Sequence, residues 1–240
     1  MRYIRNIFVI LLLLFLLINW GVGVLATNTG FSTEPLTEHD IDTFLKNINL
    51  SMLESEPTKE AIECFDVNED GFIAIGCSTY KNKTVCIYTS DGEFQYGYSF
   101  ECSGSFGVEL DKSVLNIYFV RSDVAISVNP DGEIEEILKI QNTSENNSYW
   151  QNVLYSTKRK IGDTEYIIKN DMGIFNVFAS SHSQLISTNK NGESRIIYDV
   201  NSAQFSKTLV VFIGVLVFVC IVVATIFGSL IKLKHGDLIL

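Results

Sequence analysis

Three stretches of this chain follow one plan, and that repetition limits the possible folds more than any other feature. Val85–Phe100 (VCIYTSDGEFQYGYSF), Ala125–Ile140 (AISVNPDGEIEEILKI) and Leu185–Val200 (LISTNKNGESRIIYDV) each read as a strand, a tight turn and a second strand. The turns are Asp91-Gly92, Asp131-Gly132 and Asn191-Gly192, and each is followed by Glu. Asp-Gly and Asn-Gly pairs tolerate the positive φ of a type I′ hairpin, so the joined strands are expected to pair antiparallel. The first two turns lie 40 residues apart and the last two 60 apart. The longer offset runs without gaps from Ser113–Ile140 to Gly173–Val200, with Asn116/Asn176, Ile126/Ile186, Ser127/Ser187, Asn129/Asn189, Gly132/Gly192, Glu133/Glu193 and Ile137/Ile197 identical. The additional residues fall in Gln141–Met172, where a polar linker (QNTSENNS) precedes an expected hairpin of Val153–Thr157 and Thr164–Lys169.

A four-stranded unit recurring about every 40 residues is the pattern of a propeller blade. The blades would be Ile62–Phe100, Gly104–Ile140 and Val153–Val200. The wording Phe65-Asp-Val-Asn-Glu-Asp-Gly-Phe-Ile-Ala-Ile-Gly, followed by Val85-Cys-Ile-Tyr-Thr-Ser-Asp-Gly-Glu-Phe, resembles the repeats of NHL-type β-propellers in an uncharacterised bacterial membrane-anchored protein. In that family an aspartate-glycine turn opens one strand and a D-G-x hairpin closes the blade. The resemblance implies a partial propeller of about three blades, short of the roughly four to eight that close a ring. It implies no catalytic set.

Ahead of the repeats, Thr37-Glu38-His39-Asp40 has the form of a capping box, and Ile41, Phe44, Leu45, Ile48, Met52 and Leu53 follow at helical spacing. Residues 27–60 therefore read as a helical lead-in to a β-repeat domain over 61–200. An amphipathic helix there is placed to cover the first blade, leaving the third blade with an apolar face for a protein partner or a second copy.

Both ends of the chain are membrane-like. Residues 6–33 and 208–231 carry no charged side chain. Arg2 and Arg5 precede the apolar run Ile7–Ile18, and Val24-Leu25-Ala26 supplies small residues for cleavage, so 1–26 is a signal peptide or an uncleaved anchor. Leu209–Ile231 is 23 residues long and is expected to span a bilayer after a juxtamembrane linker at 201–208. Lys232, Lys234 and His235 open a tail, 232–240, that the positive-inside rule puts in the cytoplasm.

Between these ends, Thr27–Lys207 holds 14 Lys/Arg against 27 Asp/Glu. So acidic a stretch argues against nucleic acid as a partner. An aromatic share of 12% excludes disorder.

Chemistry-bearing motifs are few. Asp66-x-Asn68-x-Asp70-Gly71 matches the first half of a calcium loop, but the ninth and twelfth positions are Ala74 and Cys77, so the expectation is a β-turn and no metal. Cys64, Cys77, Cys86 and Cys102 fit no zinc spacing, and they read either as disulfide partners in an exported compartment or as buried thiols. Cys77 and Cys86 flank one loop. His39, His182 and His235 are scattered, and Glu93, Glu133 and Glu193 read as turn residues because they recur at equivalent positions. Lys158-Arg159-Lys160 reads as a solvated hairpin tip, and Tyr88, Phe94, Tyr96, Tyr98, Phe100, Tyr118, Phe119, Phe175, Phe178 and Tyr198 as strand residues packing blade on blade. No catalytic, cofactor or metal residue is assigned. The reading is a mainly β, membrane-anchored extracytoplasmic module that binds a protein or envelope ligand, with one or two transmembrane helices. The alternatives are an accessory or sensory subunit of a membrane complex, or an extracytoplasmic hydrolase or lyase.

Overall fold

The computed structural model describes residues 29–79 and 82–236, with side chains to residue 226. The expected signal segment, 1–26, lies outside the described residues. The chain is mainly β, in three antiparallel sheets. Sheet I comprises β2 (Ser51–Leu53), β3 (Ile62–Val67), β4 (Ile73–Ser78), β5 (Asn82–Tyr88) and β6 (Phe94–Glu101), in the order β2-β6-β5-β4-β3. Sheet II comprises β1 (Thr33–Pro35), β7 (Phe106–Asp111), β8 (Val114–Phe119), β9 (Val124–Val128) and β10 (Ile134–Ile140), in the order β1-β10-β9-β8-β7. Sheet III is the four-stranded meander of β11 (Lys158–Ile161), β12 (Thr164–Lys169), β13 (Gln184–Thr188) and β14 (Ser194–Asp199).

Sheet I lies between the other two. Along β5, Val85 and Ile87 pack with Phe106, Val108, Ile117 and Ile126 of sheet II, whereas Cys86 and Tyr88 pack with Tyr166, Ile168, Leu185 and Tyr198 of sheet III. Both faces of sheet I are therefore dry, which is why β4 (IAIGCS) is almost uniformly apolar where a half-exposed strand would alternate. Aromatic rings fill the first of these interfaces edge to face: Phe100 stands 5.3 Å from both Phe106 and Phe119.

The lead-in departs from expectation. Helix α1 (Glu38–Ile48) begins where the capping box places it, with the Asp40 amide donating to Thr37 Oγ1 at 3.3 Å. It ends at Asn49, whose left-handed φ of 45° caps it. Met52 and Leu53 continue the helical spacing, yet they belong to β2, because the open edge of β6 offers them a ladder. In the same way β1 extends β10, so residues 27–60 are not a separate helical unit but supply a fifth strand to sheets I and II. The helix sits over the junction of sheets I and II, with Phe44 against Phe119 at 5.1 Å.

Three further segments differ from the sequence reading. The polar linker forms α2 (Ser144–Tyr149), capped by Thr143, and runs into a π-helical turn, Trp150–Leu154; the strand expected at Val153–Thr157 is replaced by β11. Trp150 and Leu154 account for this, because they bury themselves with Phe31, Tyr118 and Ala125 on the outer face of sheet II. Gly173–Phe178 is a 3-10 helix, so the gapless 60-residue correspondence fails over its first half, and Phe175 and Phe178 are not strand residues. Finally, α3 runs from Asn201 to Gly236, so 201–208 is its first two turns and not a linker. Asn201 and Gln204 fasten those turns to the carbonyls of Asp171 and Ser181, and Lys207 pairs with Glu60 at 2.6 Å. The stretch Asn201–Ile226 is long and apolar enough to cross a membrane.

The repeated turns are not type I′. Only the glycine of each has positive φ, 84° at Gly92, 85° at Gly132 and 81° at Gly192. The amides of these glycines donate three residues back, to the carbonyls of Thr89, Asn129 and Asn189. This is a type I turn closed by a left-handed glycine. The side-chain oxygens of Thr89, Asn129 and Asn189 accept from the amides two and four residues on, and Glu133 and Glu193 hold the amide groups of Asn129 and Asn189. Because a β-branched residue fits positive φ poorly, valine at Gly132 or Gly192 is expected to lower stability by more than about 1 kcal/mol. Gly92→Val should cost most, since an added Cβ would also lie 2.8 Å from the Ile197 carbonyl, whereas at Gly192 it meets nothing. Equal losses at Gly92 and Gly192 in urea titrations would show that the contact to Ile197 is absent.

Candidate functional site

Where β3, β7 and β11 run beside one another, the sheets meet through a half-dry cluster of charges. Asp66 accepts from the Leu110 amide at 2.9 Å and from Arg159 Nε at 2.7 Å. The guanidinium also donates to the carbonyls of Phe65 and Leu154 and lies 5.2 Å from the Phe65 ring. Lys158-Arg159-Lys160 is thus a strand, not a hairpin tip, and Arg159 turns inward while its lysine neighbours face water. Beside this pair Glu109 accepts hydrogen bonds from the hydroxyls of Tyr118 and Tyr149. Burial pushes the Glu109 carboxyl above the usual carboxylate range, and the two hydroxyls oppose that rise. The groups hold each other, and their geometry is that of a tie between sheets.

The calcium-like stretch is built the same way. Asn68 accepts from the Phe72 amide at 2.8 Å and donates to the Lys112 carbonyl, and Gly71 takes the left-handed position of a fourth turn of the repeated kind. Asp66 and Asn68 are therefore engaged, and Asp70 is exposed. Among the described residues no group of three or more His, Cys, Asp or Glu side chains converges on a metal position. The cysteines are free thiols. Cys77 lies opposite Thr84 and Cys86 opposite Ile75, so the two sulfurs are not cross-strand partners. Burial pushes Cys77 up to about 11 and Cys86 up to about 12, which keeps both as protonated, unreactive thiols at neutral pH. His39 stands exposed on α1, and His182 is drawn into a backbone bridge with Ile62, where burial lowers its pKa. His235 lies beyond the described side chains. A cleft of about 500 Å³ opens beside α1, lined in part by Phe44, Glu101, Cys102, Phe119 and Arg121.

The feature that stands out is a sheet face that no other element covers among the described residues. In sheet II the cross-strand row Ile117, Ile126, Ile137 faces sheet I. The corresponding row of sheet I, Ile75, Cys86, Gly97, faces sheet III. In sheet III the same row is Ile167, Ile186, Ile196, and it faces outward, with Ile196 51% exposed and Ile167 and Ile186 half-buried. The identity of Ile137 and Ile197 is misleading here, because a bulge between Leu185 and Ile186 puts Ile196, not Ile197, in the row. The turns obey the same progression. The turn of sheet II lies against Tyr98 of sheet I, whose hydroxyl donates to the Asn129 carbonyl; that of sheet I lies against β14, where Arg195 donates to the Asp91 carbonyl at 2.8 Å. The turn of sheet III has no such neighbour at Gly192. The row could not be named without the register.

These features define the class: a mainly β protein of three antiparallel sheets stacked through repeated interfaces, joined without a linker to one apolar helix long enough to cross a membrane. Comparison with known protein families, with curated proteins and with solved structures returns no match for this chain.

Proposed function

We propose that the chain is a membrane-anchored extracytoplasmic binding module, a partial propeller-like stack that associates with a second copy of itself through sheet III. The span and the lysines after it, Lys232 and Lys234, support an outside position for the sheets and an inside position for the tail. One observation carries the binding role: Ile167, Ile186 and Ile196 stand at the strand positions whose counterparts in sheets I and II form the two existing inter-sheet interfaces, with Lys158 at the rim where those rows end in Phe65 and Val108. A head-to-tail addition of copies is blocked at the other end, because Phe31, Trp150 and Leu154 already occupy the outer face of sheet II. A two-fold pairing of sheet III with sheet III is left, and such a contact closes at the dimer.

The face is small. Four strands of four to six residues present roughly 300 Å² at about 3.3 Å per residue and 4.8 Å between strands, against about 800 Å² per partner in a standard stable interface. Confinement of both copies to one membrane, in one orientation, raises their effective concentration enough for a weak contact to serve. The test is energy transfer between labelled full-length chains in liposomes at high lipid dilution. Transfer above the random level in the wild type, abolished by Ile186→Glu/Ile196→Glu, is expected. Transfer at the random level, or transfer indifferent to the double substitution, overturns the proposal.

A further inference from the structure

The 3-10 helix Gly173–Phe178 leaves three large apolar side chains in the open: Ile174 is 81% exposed, Val177 80% and Phe178 61%. Each would gain about 1.5–3 kcal/mol if buried, so a soluble loop of this size would be expected to hide or replace them. It is not a slack loop. Asn176 Oδ1 accepts from the Met172 amide at 2.8 Å, Asn170 bridges the Ser181 carbonyl and the Ser183 amide, and Met172 is buried beneath. Polar stitching on the inner side thus holds an apolar tip outward.

What that tip faces follows from α3. Phe175 stacks edge-on against Phe205 at 5.4 Å and Phe212 at 5.5 Å, and Phe178 lies 6.0 Å from Phe212. Lys207, paired with Glu60, is the last charged residue before the apolar run that begins at Leu209. Phe212 is five residues further on, about 7.5 Å along a helix axis, and apolar segments lying in a membrane interface sit about 5–10 Å deep. Phe178 lies against Phe212, which places the tip beside the start of the apolar run.

We propose that Gly173–Phe178 is a second membrane contact, seated in the outer leaflet beside α3 and inserting Ile174, Val177 and Phe178 among the lipid chains. This rests on the reading of α3 as a membrane span. Two contacts on one rigid body, the helix and the tip, fix the tilt of the sheets over the bilayer, where a single helix would leave them free to rock. They also set the direction in which sheet III looks along the membrane.

The test places an environment-sensitive fluorophore at Val177→Cys in full-length protein carrying Cys102→Ser and Cys220→Ala, reconstituted in phosphatidylcholine liposomes with spin-labelled lipids. Parallel labels at Val120→Cys, in the turn after β8, and Leu216→Cys, in the span, bracket the result. The expected outcome is a blue-shifted emission at 177 that loses most of its intensity to lipids labelled near the headgroup, with 216 quenched by deeper labels and 120 by neither. Three outcomes overturn the proposal. If 177 behaves like 120 while 216 is quenched, the span stands and the tip is dry of lipid. If 177 is shielded from aqueous iodide yet not quenched from the lipid, a protein covers it. If 216 is also unquenched, the reading of the span itself fails.

Discussion

Asp66→Ala is expected to lower the stability of the β-stack by about 3–5 kcal/mol, the usual consequence of removing one partner from a buried ion pair. The carboxylate serves two sheets at once, accepting from the Leu110 amide on sheet II and from Arg159 on sheet III. Asp66 and Arg159 are only 15% and 12% exposed, so solvent cannot replace either contact. The double variant Asp66→Ala/Arg159→Met should lose less than the sum of the two single losses, because no charge is stranded. Urea unfolding of the full-length protein in detergent, followed by near-UV circular dichroism, gives the numbers. Strict additivity would mean that the pair does not couple the sheets.

Phe106→Ala is expected to cost about 3–5 kcal/mol, the range for deleting a fully buried aromatic ring. Phe106 is 0% exposed and lies between Phe100 and the backbone of Gly76 in the interface of sheets I and II. A Cβ at Gly76 would fall 2.9 Å from its ring and 2.5 Å from Cys64 Sγ, so Gly76→Ala alone overpacks the site. In the Phe106→Ala background the same alanine should be less harmful, since the ring it strikes is gone. If Gly76→Ala costs the same in both backgrounds, the two positions are not packed as described.

Much of this architecture was legible because its signals are local. The Gly92, Gly132 and Gly192 turns marked the hairpins, Thr37 marked the start of α1, and the uncharged run from Leu209 marked the long helix. Even the turn type was misread in one respect: the decisive residue is not the Asp or Asn before glycine but Thr89, Asn129 or Asn189 two positions earlier, whose side chain satisfies the turn amides. Those side-chain contacts are local signals, carried by a single residue in each turn.

Other errors were beyond reach of any local pattern. Met52 and Leu53 carry helical spacing but are strand, because the edge of β6 was there to be paired. Phe175 and Phe178 carry a strand-like match to the repeat but turn to α3, because Phe205 and Phe212 stand beside them. Asp66 looked like half a calcium loop, and its partner lies 93 residues away. The sequence by itself determined the hairpins, the start of the first helix and the apolar helix, since each depends on residues within one or two turns of chain. Only the tertiary structure decided that sheet I is central, that Phe31, Trp150 and Leu154 close one end, and that the row of Ile167, Ile186 and Ile196 turns away from sheet I at the other. Those outcomes depend on which face meets which, and a side-chain period of two is the same whichever neighbour a strand is given.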